Sequence, residues 1–196
     1  MKNIESHIFR VSLFLPFIYW AYLLFSGSLG ADPAKTLNHK LGEFAFYCLI
    51  LNLLIGVLIS FSFRFPKWMR FLVRNRRFLG IVTFFYLIFH FVLYLIMESF
   101  GPQAFEQLVT KRYLVMGLAA WLILLVLTLT SNDFSMRRLG GKKWKNIHRL
   151  VYLATAFITI HVLSIEKADL IKFGTILALL WAVQIFRFAY LKLKKA

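Results

Sequence analysis

Six apolar runs, at residues 11–29, 44–63, 78–97, 113–130, 147–165 and 170–190, alternate with short polar segments along the chain. Each run is 18 to 21 residues long. A helix of that length, rising about 1.5 Å per residue, crosses the hydrocarbon of a bilayer. The pattern predicts an all-α polytopic membrane protein: a bundle of six transmembrane helices forming one domain over 1–196, with no intervening segment long enough for a separate soluble domain. Pro33, Pro66 and Pro102 fall at helix edges or in loops, whereas Pro16 lies inside the first run and predicts a bend or break near its start. The first run also has features of a signal peptide, with Lys2 and Arg10 ahead of it and Ser28-Leu29-Gly30 as a small-residue cleavage site. Its length and its aromatic residues (Phe14, Phe17, Tyr19, Trp20, Tyr22, Phe25) favour a retained helix. No internal repeat or low-complexity tract is apparent.

Charge gives these helices a direction. The chain carries 24 Lys+Arg against 8 Asp+Glu, a net charge of +16. In a soluble protein this excess would suggest nucleic acid, but 60% of the residues are hydrophobic and only 16% are charged, and the charge is divided among loops beside lipid. Segments 1–10, 64–77, 131–149 and 187–196, which share one side of the membrane, hold 18 of the 24 basic residues. The opposite side holds Lys35, Lys40, Lys111, Arg112, Lys167 and Lys172, together with most of the acids: Asp32, Glu43, Glu98, Glu106, Glu166 and Asp169. The positive-inside rule makes the first set cytoplasmic and puts both termini there.

Ionisable groups inside a membrane are functional candidates by default. His90, 12 residues past Phe78 in the third run, and His161, near the outer end of the fifth, are expected at similar depth in the outer half of the bilayer. Two neutral imidazoles at one depth on neighbouring helices are what a haem iron needs for two axial ligands. The competing role is helix–helix hydrogen bonding. The absence of carboxylates within the third and fifth runs favours haem over a proton relay. His148 opens the fifth run on the cytoplasmic side, 13 residues before His161. That axial distance of about 20 Å suits a second haem, but the two rings then lie about 140° apart around an ideal helix, so His148 is read either as a ligand or as an interfacial residue. His7 is expected to be solvated, His39 to lie in the first outer loop, and Cys48 to pack between helices. A single Cys leaves no intramolecular disulfide and no Cys-based metal site.

Arg76 and Arg77 stand just before the third run, where guanidinium groups suit haem propionates, a flavin phosphate or a quinone carbonyl. Gly56, Gly80, Gly117 and Gly174 lie in or at the ends of helices, where small residues let another helix or a flat macrocycle approach. Glycine-rich dinucleotide fingerprints, P-loops and Ser-His-Asp arrangements are absent. With no room for a nucleotide-binding domain, electrons are expected from a lipid-soluble carrier or another protein.

The motifs also occur in a recognisable order. The first outer loop reads Leu29-Gly30-Ala31-Asp32-Pro33, then His39 and Gly42; the third helix opens Arg76-Arg77-Phe78-Leu79-Gly80 and reaches His90, Tyr94 and Glu98. Lys111-Arg112-Tyr113-Leu114 follows, and the fifth helix carries Trp144, His148, Tyr152 and His161. From about residue 27 to 165 the chain resembles the MsrQ (YedZ) family, part of the ferric-reductase-like transmembrane group that includes the membrane portion of NADPH oxidases. The resemblance implies a b-type haem protein of the bacterial inner membrane, with one haem b or two, associated with FMN. Such a protein takes electrons from the respiratory quinone pool and passes them to MsrP, a periplasmic molybdenum-cofactor enzyme that reduces methionine sulfoxide in oxidised proteins. By position, His90, His148 and His161 carry over as haem-iron residues, and His39 gains weight as a cofactor-binding residue. In one respect the chain departs from the wider group. Two-haem relatives place two histidines on each ligand helix, whereas here Arg77 or Arg76 occupies the position 13 or 14 residues before His90. His148 therefore lacks an evident partner, and nothing in the chain locates FMN. Docking of MsrP is expected on outer loops 26–43 and 98–112. The rival functions are a self-contained ferric or quinone reductase and a non-redox transporter or scaffold.

Overall fold

The computed structural model describes residues 2–61, 66–165 and 169–194. Arg64, Glu166, Lys167, Lys195 and Ala196, which entered the charge and topology reading, lie outside the described residues, as do positions 62–63 of the second predicted helix. Among the described residues there are nine helices and no strand: α1 (Lys2–Ser12), α2 (Leu15–Phe25), α3 (Pro33–Phe61), α4 (Lys67–Met97), α5 (Pro102–Thr110), α6 (Arg112–Leu129), α7 (Asp133–His148), α8 (Leu150–Leu163) and α9 (Leu170–Leu193). Six helical stretches are long and apolar enough to cross a membrane: Ile4–Phe25, Pro33–Phe61, Lys67–Met97, Arg112–Leu129, Asp133–Leu163 and Leu170–Leu193. The protein is all-α and multi-pass.

The helices outrun the apolar runs, for a physical reason. A hydropathy window reports the length immersed in lipid, but a helix continues into the polar interface wherever its ends are satisfied. α3 starts at Pro33 rather than 44, because Asp32 accepts the Lys35 backbone N–H at 3.1 Å and Pro33 supplies a pre-set φ. His39 therefore lies on a helix and not in a loop. α4 starts at Lys67, directly after Pro66, so Arg76 and Arg77 lie within it rather than before it. α7 is an extra helix in the second basic segment. Asn132 caps it by accepting from Ser135 N at 2.7 Å, and Gly140, at φ +73°, kinks it. His148 closes α7 instead of opening the next helix.

The chain divides into two compact units, Met1–Ser99 and Phe100–Ala196. In the first, α3 and α4 pack along their lengths. Their antiparallel register is marked by Asn38 paired with His90 and Asn52 paired with Arg76. Leu41, Ala45, Val82 and Tyr86 form the core of this pair, and aromatic rings of α2 and α4 close over it. The break at Pro16 is real: α1 ends at Ser12 and α2 starts at Leu15. The Tyr86 hydroxyl, on a side chain with no exposed surface, donates to the Leu13 carbonyl at this break (2.7 Å). In the second unit α6 packs on α8. α8 is joined to α9 by Trp181 Nε1 donating to Thr159 Oγ1 (3.0 Å) and Arg187 Nη1 donating to the Tyr152 hydroxyl (2.7 Å).

Candidate functional site

His90 sits on α4 against α3. An imidazole needs room beside a neighbouring helix, and Gly42 provides it: a Cβ at residue 42 would fall 2.9 Å from His90 Cε1 and 3.0 Å from Nδ1. One helical turn earlier, the Asn38 carbonyl lies 3.0 Å from His90 Nδ1. A carbonyl only accepts, so Nδ1 carries the proton and Nε2 carries the lone pair. The Asn38 side chain returns the contact, its Nδ2 donating to the His90 carbonyl at 2.8 Å.

The same device is built a second time in the other unit. His161, on α8, has Nδ1 2.7 Å from the Tyr113 carbonyl on α6. Gly117, again four residues after the acceptor, leaves the space for the ring: a Cβ there would fall 2.8 Å from His161 Nδ1 and 2.9 Å from Cε1. His161 too is therefore an Nδ1–H imidazole with its lone pair on Nε2. An imidazole that donates its other N–H to a backbone carbonyl, with tautomer and orientation both set, is the usual state of a metal-ligating histidine.

His148 is held differently. Its ring stacks on Trp144, with centroids 3.9 Å apart and planes at 28°. Its Nε2 is 3.2 Å from Thr130 Oγ1. The Thr130 hydroxyl gives its proton to the Val126 carbonyl at 2.8 Å, so it accepts from His148, and Nε2 of His148 bears the proton. Trp144 Nε1 donates to the Thr130 carbonyl at 2.8 Å and completes the cluster. His148 thus adopts the opposite tautomer to His90 and His161.

The remaining sequence candidates separate. Arg76 binds across to α3: its Nε donates to Asn52 Oδ1 (2.8 Å), and Asn52 Nδ2 donates to the Arg76 carbonyl (3.1 Å). Gly80 lies next to this contact, 3.3 Å from Asn52 Nδ2 to a Cβ placed on it. Arg77, one residue on, lines a cavity with Arg10 and Arg74. His39 and His7 are exposed, and Cys48 is buried. Among the described residues no group of three or more His, Cys, Asp or Glu converges on a point. What sequence reasoning missed is the acceptor–glycine pairs Asn38/Gly42 and Tyr113/Gly117. Their i, i+4 spacing is visible in the chain, but it acquires meaning only once a histidine is known to lie over each pair.

Residues 41–159 match the family described as ferric reductase like transmembrane component. The protein-methionine-sulfoxide reductase heme-binding subunit MsrQ of Rhodospirillum rubrum is 34% identical over 181 residues, covering 89% of this chain and 84% of its own. The subunit of the same name from Herminiimonas arsenicoxydans is 34% identical over 190 residues, covering 93% and 84%. That from Brucella anthropi is 36% identical over 157 residues, covering 79% and 68%. The matched span 41–159 takes in Gly42, His90, Tyr113, Gly117 and His148, and the alignments with these relatives extend over most of the chain: the protein belongs to the MsrQ family of ferric-reductase-like transmembrane proteins.

Proposed function

We propose that the chain is the haem-bearing membrane subunit of a methionine-sulfoxide reductase system, with His90 and His161 as the axial ligands of a b-type haem. One observation carries this reading. Both histidines donate Nδ1–H to a backbone carbonyl and rest on a glycine, so each offers an Nε2 lone pair in a set orientation. Haem, when bound, supplies a one-electron carrier. The chain's own residues bury it, ligate it and set its potential. His148, with its Nε2 proton directed to Thr130, does not fit a second ligand pair, so the reading is one haem. We assign His148 and Arg76 to the cytoplasmic end of the bundle, where electrons arrive from the quinone pool; the outer face delivers them to a periplasmic molybdenum-cofactor partner of the MsrP type. The protein is placed in the bacterial inner membrane with both termini cytoplasmic, on the strength of its basic segments.

The test is a reduced-minus-oxidised spectrum of the purified protein. The b-type bands are expected in the wild type, absent in His90→Ala and His161→Ala, and retained in His148→Ala. A wild type without bands rejects the haem reading. Bands that survive both substitutions reject the ligands. The rival ferric reductase is tested in the same cuvette: reoxidation by a ferric chelate as fast as by the periplasmic partner would favour it.

A further inference from the structure

A cavity of about 400 Å³ opens in the first unit, lined by Arg10, Val73, Arg74, Arg77, Phe78 and Ile81. The volume is in the range of small-molecule sites. The lining has two chemistries and no carboxylate. Arg10, from α1, joins Arg74 and Arg77 of α4 to give three guanidinium groups. From Arg74 to Ile81 the α4 face turns apolar over seven residues, about 10 Å of helix. Val73 and Ile81 are exposed within a helix long enough to span the membrane, so lipid chains have access to that end. The cationic end is pre-organised. Arg10 Nε donates to Asn75 Oδ1 at 3.1 Å, and its Cζ lies 5.1 Å from the centre of the Phe78 ring. Asn75, itself 1% exposed, is held by Ser6 Oγ and the Phe71 carbonyl. Guanidinium forks bind phosphate oxygens in this manner, and fixing one beforehand lowers the cost of binding.

We infer that this cavity binds the phosphate of an anionic phospholipid, held by Arg10, Arg74 and Arg77, with an acyl chain running over Phe78 and Ile81. The site is independent of the haem reading. Its test is native mass spectrometry of the full-length protein in mild detergent, titrated with phosphatidylglycerol or phosphatidylcholine. The wild type is expected to retain phosphatidylglycerol preferentially. The double variant Arg74→Gln, Arg77→Gln is expected to lose that affinity by about ten-fold per arginine, as for a charge-assisted hydrogen bond, while phosphatidylcholine binding is unchanged. Arg74→Lys, Arg77→Lys keeps the charge and is expected to fall between the two. Lys142→Gln, Lys143→Gln removes the same charge from exposed positions and is expected to change nothing. Helix content by circular dichroism and the haem spectrum report folding of each variant. The inference is overturned if the wild type shows no preference for phosphatidylglycerol, or if the Lys142/Lys143 variant loses as much as the arginine variant. It is also overturned if inorganic phosphate or FMN displaces the lipid one for one, which would make the site's phosphate that of a soluble molecule.

Discussion

Gly117→Ala adds one methyl group and tests the histidine geometry directly. The new Cβ lies 2.8 Å from His161 Nδ1 and 2.9 Å from Cε1, against 3.4 Å for the near edge of ordinary contact. The ring must retreat by about 0.6 Å. Its Nδ1 is tied to the Tyr113 carbonyl at 2.7 Å, and a retreat along that line stretches the bond to about 3.3 Å, near the limit for a useful N–H···O contact. Losing the carbonyl that orients a metal-ligating histidine typically weakens the metal site 10- to 100-fold, or about 1.4 to 2.8 kcal/mol. Helix propensity acts in the opposite direction, since alanine is better than glycine in a helix by about 1 kcal/mol. The fold is therefore expected to survive while the site fails. The assay is the haem-to-protein ratio of the purified variant during haem dilution, with its midpoint potential, beside circular dichroism. Gly174→Ala is the matched control, because its Cβ meets only Leu163 Cδ2 at 4.0 Å; it is expected to keep haem and to gain a few tenths of a kcal/mol. If Gly117→Ala retains haem with unchanged ratio and potential, the imidazole is not held as described here.

Gly42→Ala is expected to repeat the effect at His90, slightly more weakly, because its contacts are 2.9 and 3.0 Å; the haem ratio reads this too. Tyr86→Phe removes the donor to the Leu13 carbonyl at the α1–α2 break and is expected to cost about 1–2 kcal/mol in thermal unfolding, with the haem spectrum unchanged. Trp144→Ala removes the ring stacked on His148 and the donor to Thr130; haem content is expected to hold while reduction by a quinol slows, and a loss of haem instead would restore His148 as a ligand. An alkaline phosphatase fused after Gln103 is expected to be active, and one fused after Ala196 inactive; the reverse would invert the topology.

The bilayer made much of this protein readable from its chain. A hydrocarbon layer of nearly constant thickness demands an apolar stretch of nearly constant length, so six spans, the break at Pro16 and the candidacy of His90 and His161 all followed from one dimension. The order of motifs along the chain carried the family. Helix ends were legible only in part. The polar starts of α3 and α4 depend on caps and interface contacts, which hydropathy does not register; that is why His39 read as a loop residue and Arg76 and Arg77 as a flank.

Tertiary structure alone decided the chemical state of the histidines. Which imidazole nitrogen bears the proton depends on what lies opposite it, and the partners are 52 residues away for His90, 48 for His161 and 18 for His148. No local periodicity relates such positions; they meet only when α3 packs on α4, α6 on α8, and Thr130 reaches the end of α7. The repeat is invisible in the chain for the same reason. Asn38/Gly42 and Tyr113/Gly117 share no side-chain chemistry at the acceptor, because the acceptor is a backbone carbonyl that every residue possesses. The glycine is the one constrained letter, and its constraint is the space that a ring from another helix occupies.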